Sequence, residues 1–340
     1  MELKVIAKES LLSFVNRLLE DREVVGVRKR EDGKYIFDRL ENSEELCLNY
    51  DVTLLPPKKY FLPQRETLIR FEDKEGELSV EAVVESSPRV IIGVHPYDMA
   101  AINLLDKVFS RDKKDANYLK KREDTLIIGT DVKNPSPYAF YESVGSDTRE
   151  GFDLFFTEMG KSYVVETGSQ KGEELLKYGD FKKATAREEN EFKNIKKQRK
   201  GLSLERRLNF LSHDLPHLLG EKLEHPVWEE KSSRCLSCGS CIMVCPTCYC
   251  FDVQDEMDMS LTAGERFRQW DGCLLTDFAR VATGENFRKD IKSRYQHRFY
   301  RKGKYIPEKF GMIGCVGCGR CASACLADIA DPVEIYNALL

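Results

Sequence analysis

The chain has 340 residues, of which 41% are hydrophobic and 32% are charged, and this length and composition favour a folded protein of two domains. Its formal net charge of −4 gives no reason to expect nucleic acid as a partner, and no apolar run approaches the ~18 residues that a membrane helix needs. The first residues lack the basic flank and apolar core of a secretory signal, so we expect a cytoplasmic protein without membrane insertion.

The early part of the chain predicts a helix and then a proline-rich segment. From Glu9 to Glu20 apolar residues recur at helical spacing, which indicates a surface helix. The segment Leu54–Pro63 contains three prolines and can continue neither a helix nor a central strand. We therefore expect an ordered surface loop there, with docking of a partner as the alternative.

A strand–helix–strand unit follows. The apolar run Arg89–His95 predicts a buried strand, and residues 99–109 have the apolar spacing of a helix, for which Asp98 is the expected N-cap. The run Thr125–Gly129 predicts the second strand. His95 is interpreted as a histidine that satisfies local backbone groups and not as a ligand or base, because the sequence around it offers no second histidine and no nucleophile.

A hairpin completes the first domain. Its strands are predicted at residues 152–157 and 162–167, with a turn between them. Together these elements predict an α/β domain over residues 1–180. The chain contains no G-x-G-x-x-G motif and no P-loop, so a nucleotide or flavin site of a standard kind is not expected.

Residues 181–225 are predicted to form a helical connector. Their first part is almost entirely charged, with five basic residues between Lys193 and Lys200. This charge suits either a docking face for an acidic partner or the solvated side of a helix that packs Phe192 and Ile195 inward, and the second interpretation is favoured. A further helix is predicted from Leu204 to Leu211.

The cysteines are concentrated in residues 226–340, which are predicted to form the second, mainly helical domain. Eleven of the twelve cysteines follow residue 234, and eight of them form two runs with the spacing C-x2-C-x2-C-x3-C. A chain without an export signal keeps its thiols reduced, so these cysteines are interpreted as metal ligands and not as disulfides.

Runs of this spacing bind 4Fe-4S clusters, and in paired runs the fourth cysteine ligates the cluster of the other run. We therefore predict two clusters, the first held by Cys235, Cys238, Cys241 and Cys325, and the second held by Cys315, Cys318, Cys321 and Cys245. Gly239 and Gly319 follow the second cysteine of each run and allow the backbone to coil closely. Zinc knuckles are the alternative, but they use C-x2-C pairs and have no use for the remaining cysteines of a run.

Between the two runs lie residues 246–314, a much longer link than in small bacterial ferredoxins. Here the motif Pro246-Thr-Cys-Tyr-Cys250 and the later segment Arg266-Phe-Arg-Gln-Trp-Asp-Gly-Cys273 resemble a known iron–sulfur protein family. The family comprises the beta subunit of sulfhydrogenases and the corresponding iron–sulfur subunit of anaerobic sulfite reductases. The likeness is dense after His225 and extends more weakly over most of the chain.

The resemblance implies a non-catalytic electron-transfer subunit of an oxidoreductase complex. The implied partners are a flavin subunit that exchanges electrons with NAD(P) and a catalytic subunit of the hydrogenase, sulfite reductase or heterodisulfide reductase type. The alternative is an iron–sulfur enzyme that itself reduces a sulfur compound at a cluster. Eight cysteines for two clusters argue against the open corner that such an enzyme needs.

Two features depart from the family pattern. Relatives often have three more cysteines where this chain has Val132, Ala139 and Tyr141, so no cluster is expected there. Leu326 replaces the proline that usually follows the fourth cysteine of a run. The backbone after Cys325 is therefore expected to follow a different path, while ligation by Cys325 is retained.

Three cysteines, Cys248, Cys250 and Cys273, belong to neither run. One interpretation is that they hold a third cluster, with Asp271 or the distant Cys47 as a further ligand. The favoured interpretation is that they pack as small buried groups beside the two clusters, because a third cluster lacks an evident fourth cysteine.

The segment Asp331–Leu340 begins with Asp-Pro and continues with apolar residues, which predicts a short helix. We expect this helix to close over the cluster core, as terminal helices commonly do, with contact to a neighbouring protein as the alternative. The complete chain is thus predicted to be α+β, with an N-terminal α/β domain followed by a mainly helical, ferredoxin-like dicluster domain.

Overall fold

The computed structural model describes residues 2–74, 76–199 and 205–340. The strands are β1 Lys4–Ala7, β2 Glu23–Lys29, β3 Tyr35–Arg39, β4 Arg65–Lys74, β5 Glu77–Ala82, β6 Arg89–Val94, β7 Thr125–Thr130, β8 Leu154–Met159, β9 Ser162–Thr167, β10 Lys182–Lys183, β11 Phe251–Met257 and β12 Ala263–Trp270. The helices are α1 Lys8–Asp21, α2 Pro96–Ser110, α3 Ala116–Glu123, α4 Gln170–Leu175, α5 Ala186–Arg199, α6 Leu215–Glu221, α7 Val227–Ser232, α8 Ser240–Met243, α9 Ile291–Tyr300, α10 Ile306–Phe310, α11 Arg320–Ser323 and α12 Pro332–Asn337. None of the helices in these three ranges combines the length and the apolar character that crossing a bilayer requires.

Eight strands form one mixed sheet in the order β10-β1-β9-β8-β7-β6-β2-β3. Its central pairs, β2–β6, β6–β7 and β7–β8, are parallel. Alternate residues of the central strands face opposite sides: Val90 and Ile92 pack with α1, whereas Ile91 packs with α2 and α3. Helices on both faces bury these strands completely, which explains their continuous apolar runs. The predicted α/β domain, its first helix, its strand–helix–strand unit and its hairpin are confirmed.

The start of α2 differs from the prediction. Pro96 is its first residue and His95 its N-cap, so Asp98 lies inside the first turn and its prediction as N-cap was wrong. The proline explains the shift, because its fixed φ suits the first helical position. His95 is buried, and its Nδ1 lies 2.7 Å from the hydroxyl of Tyr97, so its partner is a side chain and not the local backbone.

The proline-rich segment Leu54–Pro63 is an ordered loop with one short helical turn at Pro57–Tyr60. The prediction that it lies at the surface was wrong, because Phe61 and Leu62 are fully buried in the core beside α2 and α3. Lys58 is also buried, and its ammonium donates a hydrogen bond to the carbonyl of Cys248 at 2.7 Å. The loop therefore joins the first half of the chain to the cysteine-rich half.

The charged connector begins with α5, which packs Phe192 and Ile195 beside Met159 and Val164 of the β8–β9 hairpin. Its lysines up to residue 197 are exposed, as expected for a solvated helix face. Lys200 and Leu204 lie outside the described residues. The predicted helix is absent from residues 205–211, and the next helix is α6.

A second sheet, in the order β11-β12-β4-β5, joins distant parts of the chain. Strand β12 comes from the long link between the cysteine runs and pairs antiparallel with β4 of the first half. Buried Arg268 on β12 supports the junction, with Glu66 of β4 at 2.7 Å and Asp115 before α3 at 2.5 Å. The sequence analysis did not anticipate this sheet.

The second core contains the cysteine runs and is built from short helices. Trp228 of α7, Phe299 of α9 and Tyr336 of α12 are buried in it together with Cys241. Helix α12 thus docks on its own core, as predicted. The chain is α+β, with a sheet-rich N-terminal part and a ferredoxin-like dicluster domain at the C-terminal side, and the predicted fold class is confirmed.

Arg320 of α11 ties the two parts together. Its guanidinium binds both carboxylate oxygens of Asp98 at 2.6 and 2.7 Å, and it also donates to the carbonyl and hydroxyl oxygens of Thr53 at 2.8 and 2.9 Å. All three residues are buried. A buried ion pair of this kind is costly to break, because the remaining charge stays buried without a partner.

We expect the substitution Arg320→Met to destabilise the protein by about 3–5 kcal/mol, because it leaves the carboxylate of Asp98 buried and unpaired. Anaerobic thermal unfolding measures the loss. The matched control is Arg70→Met, which removes an exposed arginine from its 3.0 Å pair with Glu85 and should change stability by less than about 1 kcal/mol. If the two substitutions lower the stability equally, the Arg320–Asp98 pair is not the buried, stabilising contact described above.

Candidate metal centre

The two cysteine runs have the same local structure. The glycine after the second cysteine is left-handed in each, with φ of 75° at Gly239 and 81° at Gly319. Helices α8 and α11 begin there, and each contains the third cysteine of its run. A Cβ atom at Gly319 would also stand only 2.8 Å from the carbonyl carbon of Tyr138. Glycine is therefore needed at this position both for its backbone angle and for the close approach.

The first cavity is lined by three cysteines of the first run and one of the second: Cys235, Cys238, Cys241 and Cys325. Apolar side chains such as Leu274 and Ile329 form much of the remaining wall, and no charged side chain lines the cavity among the described residues. Cys238 is exposed, and so are Leu236 and Leu326 at the rim. This cavity therefore reaches the surface.

The second cavity is lined by the complementary set of cysteines: Cys245, Cys315, Cys318 and Cys321. The structure thus brings together the eight predicted site residues as the two sets of four that the sequence analysis proposed. Apart from its cysteines, the residues that line the second cavity are all buried. They include Arg298, Lys302 and Tyr336.

The N-terminal part closes one side of the second cavity. Val132, Ala139 and Tyr141, where relatives often have cysteines, pack in one buried cluster with Val316 and Cys318. The backbone amide of Phe140 donates to the carbonyl of Gly317 at 2.8 Å, and Ser146 Oγ donates to that of Val316 at 2.6 Å. The cysteine loop is therefore fixed by its backbone as well as by apolar contacts.

The chemistry of the donors fits iron–sulfur clusters. Burial raises the pKa of the Cys241 thiol and of the Cys318 thiol to about 12, so the free thiols hold their protons. Because iron binds the thiolate, assembly of a cluster displaces these protons. The described part of the chain contains no group of three His, Cys, Asp or Glu side chains arranged around a single metal ion. The eight cysteines stand around two cavities.

Two buried cations accompany the cysteines. The ammonium of Lys302 donates to Thr247 Oγ1 at 2.6 Å, and the same hydroxyl lies 3.3 Å from Cys245 Sγ. Arg298 lines the second cavity and donates, at 3.5 Å, to the carbonyl of Ala330, which lines the first. Both cations favour an anionic group in the cavities. The cysteine spacing could not predict Arg298 or Lys302, because no sequence motif relates a basic residue in or just after α9 to the cysteine runs.

The remaining cysteines line neither cavity in the described part of the chain. Cys273 is buried in the second core, and Cys248 packs against that core. The carbonyl of Cys250 accepts a hydrogen bond from the amide of Asp271 at 3.2 Å. Cys47 belongs to the N-terminal part, where its amide donates to the carbonyl of Val27 at 2.7 Å. Packing beside the clusters stays our prediction for Cys248, Cys250 and Cys273.

Residues 234–329 match the family model of the 4Fe-4S dicluster domain, so the chain is an iron–sulfur protein with two 4Fe-4S clusters. Over 306 residues it is 34% identical to the sulfhydrogenase 2 subunit beta of Pyrococcus furiosus, and the match covers 89% of each chain. The chain therefore belongs to the family of that subunit, as the sequence motifs predicted. No solved structure is significantly similar to it.

The exchange of the fourth cysteine between the runs can be tested with Cys245→Ala. Cys245 belongs to the first run but lines the second cavity, so its loss should damage the second cluster and spare the first. EPR spectroscopy of the anaerobically purified variant distinguishes the signals of the two clusters, and iron analysis gives the number of clusters that remain. The control is Cys47→Ala in the N-terminal part, which lines neither cavity and should retain both clusters. Damage confined to the first cluster refutes the exchange.

Helix α12 should protect the second cluster from oxygen. Tyr336 lines the second cavity, and Leu339 is fully buried behind it. We expect deletion of residues 333–340 to open the cavity to solvent. After the same time in air, the truncated protein should have lost iron and the full chain should have kept it. Deletion of Leu340 alone, which is 65% exposed, is the control and should have no effect. Full iron content of the longer deletion in air contradicts this role.

Proposed function

We propose that this chain is the electron-transfer subunit of a cytoplasmic multi-subunit oxidoreductase. It relays electrons between a flavin subunit that uses NAD(P) and a catalytic subunit of the hydrogenase, sulfite reductase or heterodisulfide reductase type. The eight cysteines that line the two cavities are its cluster ligands. The observation that carries the proposal is the exchange of the fourth cysteine, because it forces the two cavities to adjoin.

The wall between the cavities supports this role. Arg298 contacts the lining of both cavities, and α8 and α11, one from each run, pack side by side. A bound 4Fe-4S cluster takes up and releases one electron. Arg298 is 6% exposed, so this link between the two sites is buried. Adjacent sites joined by a buried link are what a relay requires.

The rim of the first cavity supports docking of a partner. Leu236 and Leu326 are 66% and 84% exposed, and both line the first cavity together with the exposed Cys238. Exposed apolar side chains grouped at a functional site are typical of protein interfaces. Leu326 thus adds a large apolar side chain to the proposed docking face.

The enzyme alternative receives less support from the site. An enzyme that reduces a sulfur compound at a cluster needs an iron atom with an exchangeable position. Each cavity has four cysteines, which supply one ligand for every iron of a cluster. The zinc alternative is tested by composition: the anaerobically purified chain should contain iron and acid-labile sulfide in equal amounts and little zinc.

The function of a relay predicts a specific dependence on a partner. The isolated chain should be reduced by dithionite but should not oxidise NADH or NADPH, because it contains no glycine-rich cradle for a nucleotide. Activity should appear when a flavin subunit is added. It is measured under anaerobic conditions as the loss of visible absorbance when the clusters are reduced. Steady oxidation of NADH or NADPH by the flavin-free chain would overturn the proposal.

A further inference from the structure

We propose that Lys302 raises the reduction potential of the cluster in the second cavity by acting as a fixed counter-charge. The inference rests on the proposed ligation of that cluster by the four cysteines that line the cavity. It adds a residue that no cysteine motif contains and gives the two clusters of the relay different electrostatic surroundings.

The first argument is the burial of an ammonium group without a carboxylate. Lys302 is 8% exposed, and its ammonium donates to Thr247 Oγ1. No carboxylate of the described residues forms an ion pair with it. Burying an unpaired cation costs several kcal/mol, so a buried ammonium requires negative charge nearby. The cysteines of the second cavity, which Lys302 itself lines, supply that charge once they are thiolates.

The second argument is the backbone that holds this lysine. Between α9 and α10 the helix widens into one π-helical turn, Arg301–Tyr305, which contains Lys302. The carbonyl of Lys302 accepts a hydrogen bond at 2.8 Å from the amide of Gly314, the residue before Cys315. A Cβ atom on Gly303 would stand 2.5 Å from Leu219, so the turn is packed tightly against α6. Turns of this kind occur frequently at functional sites.

The third argument is electrostatic. A 4Fe-4S cluster with four thiolates has a net negative charge that increases on reduction, so a fixed cation stabilises the reduced form and raises the potential. The first cavity has no charged lining residue among those described. Arg298 stands between the two cavities, so its charge acts on both clusters. Lys302 lines the second cavity and not the first, so its charge acts unequally on the two clusters.

The test is an EPR-monitored redox titration of the anaerobically purified, cluster-loaded full chain. Lys302→Met removes the charge and keeps an unbranched side chain, and it should lower one potential by at least about 59 mV, a tenfold change in the one-electron equilibrium. The cluster that changes should be the one that Cys245→Ala damages. Lys302→Arg keeps the charge and should restore most of the potential.

The matched control is Lys304→Met. Lys304 lies in the same π-helical turn but is partly exposed and pairs with Glu308 at 2.6 Å, so the same loss of charge at the surface should leave both potentials unchanged. A second variant, Lys302→Gln, removes the charge but keeps a polar side chain that can donate to Thr247 Oγ1, and it should lower the same potential. It serves as the decisive measurement if Lys302→Met fails to load its clusters.

Unchanged potentials in a fully loaded Lys302→Met variant overturn the proposal. Equal shifts in the reduction potentials of both clusters overturn it as well, because the charge of Lys302 would then not distinguish the two clusters. If Lys302→Met does not load and Lys302→Gln keeps both potentials at the original values, Lys302 has a structural role only and the proposal fails. A parent chain that lacks two clusters would instead refute the proposed function, so the two failures are distinguishable.

Discussion

The ion pair between Arg320 and Asp98 is the contact on which the second cavity depends. Arg320 lies between the second and third cysteines of the second run, and Asp98 lies in the first turn of α2, directly after a central strand of the large sheet. Because both charges are buried and the contact is bidentate, the cysteine loop has one stable position relative to the sheet. The N-terminal part thereby becomes a wall of the metal centre.

The sequence was informative wherever the cause of a structure is local. The cysteine spacing determines the backbone coil around Gly239 and Gly319, and continuous apolar runs identify β6 and β7 as buried strands. Both follow from a few neighbouring residues, so a single sequence is enough to predict them. The crossed grouping of the cysteines required one further rule, the exchange between paired runs, which is itself a matter of spacing.

The features that the sequence did not predict depend on contacts between distant residues. Strand β12 pairs with β4, which lies almost two hundred positions away in the sequence. The alternation of polar and apolar residues along β12 does not identify that partner. The position of Lys302 in the core depends on a π-helical turn, and a lysine there looks like any surface residue. The loop containing Phe61 is buried because other segments cover it, which its prolines do not indicate.

The exchange of cysteines also constrains the order in which the protein matures. During synthesis Cys235, Cys238 and Cys241 leave the ribosome well before Cys325, the fourth cysteine of their cavity. Strand β4 pairs with β5 early, but its other edge has no partner until β12 has been made. The parallel sheet can form early because domains fold as units during synthesis. Neither cavity has all four of its thiols until the second cysteine run has been made. With the proposed ligation, neither cluster can be completed before residues 315–325 are translated, and a chain that stalls before Cys315 exposes the four thiols of the first run without the cysteines that complete their cavities.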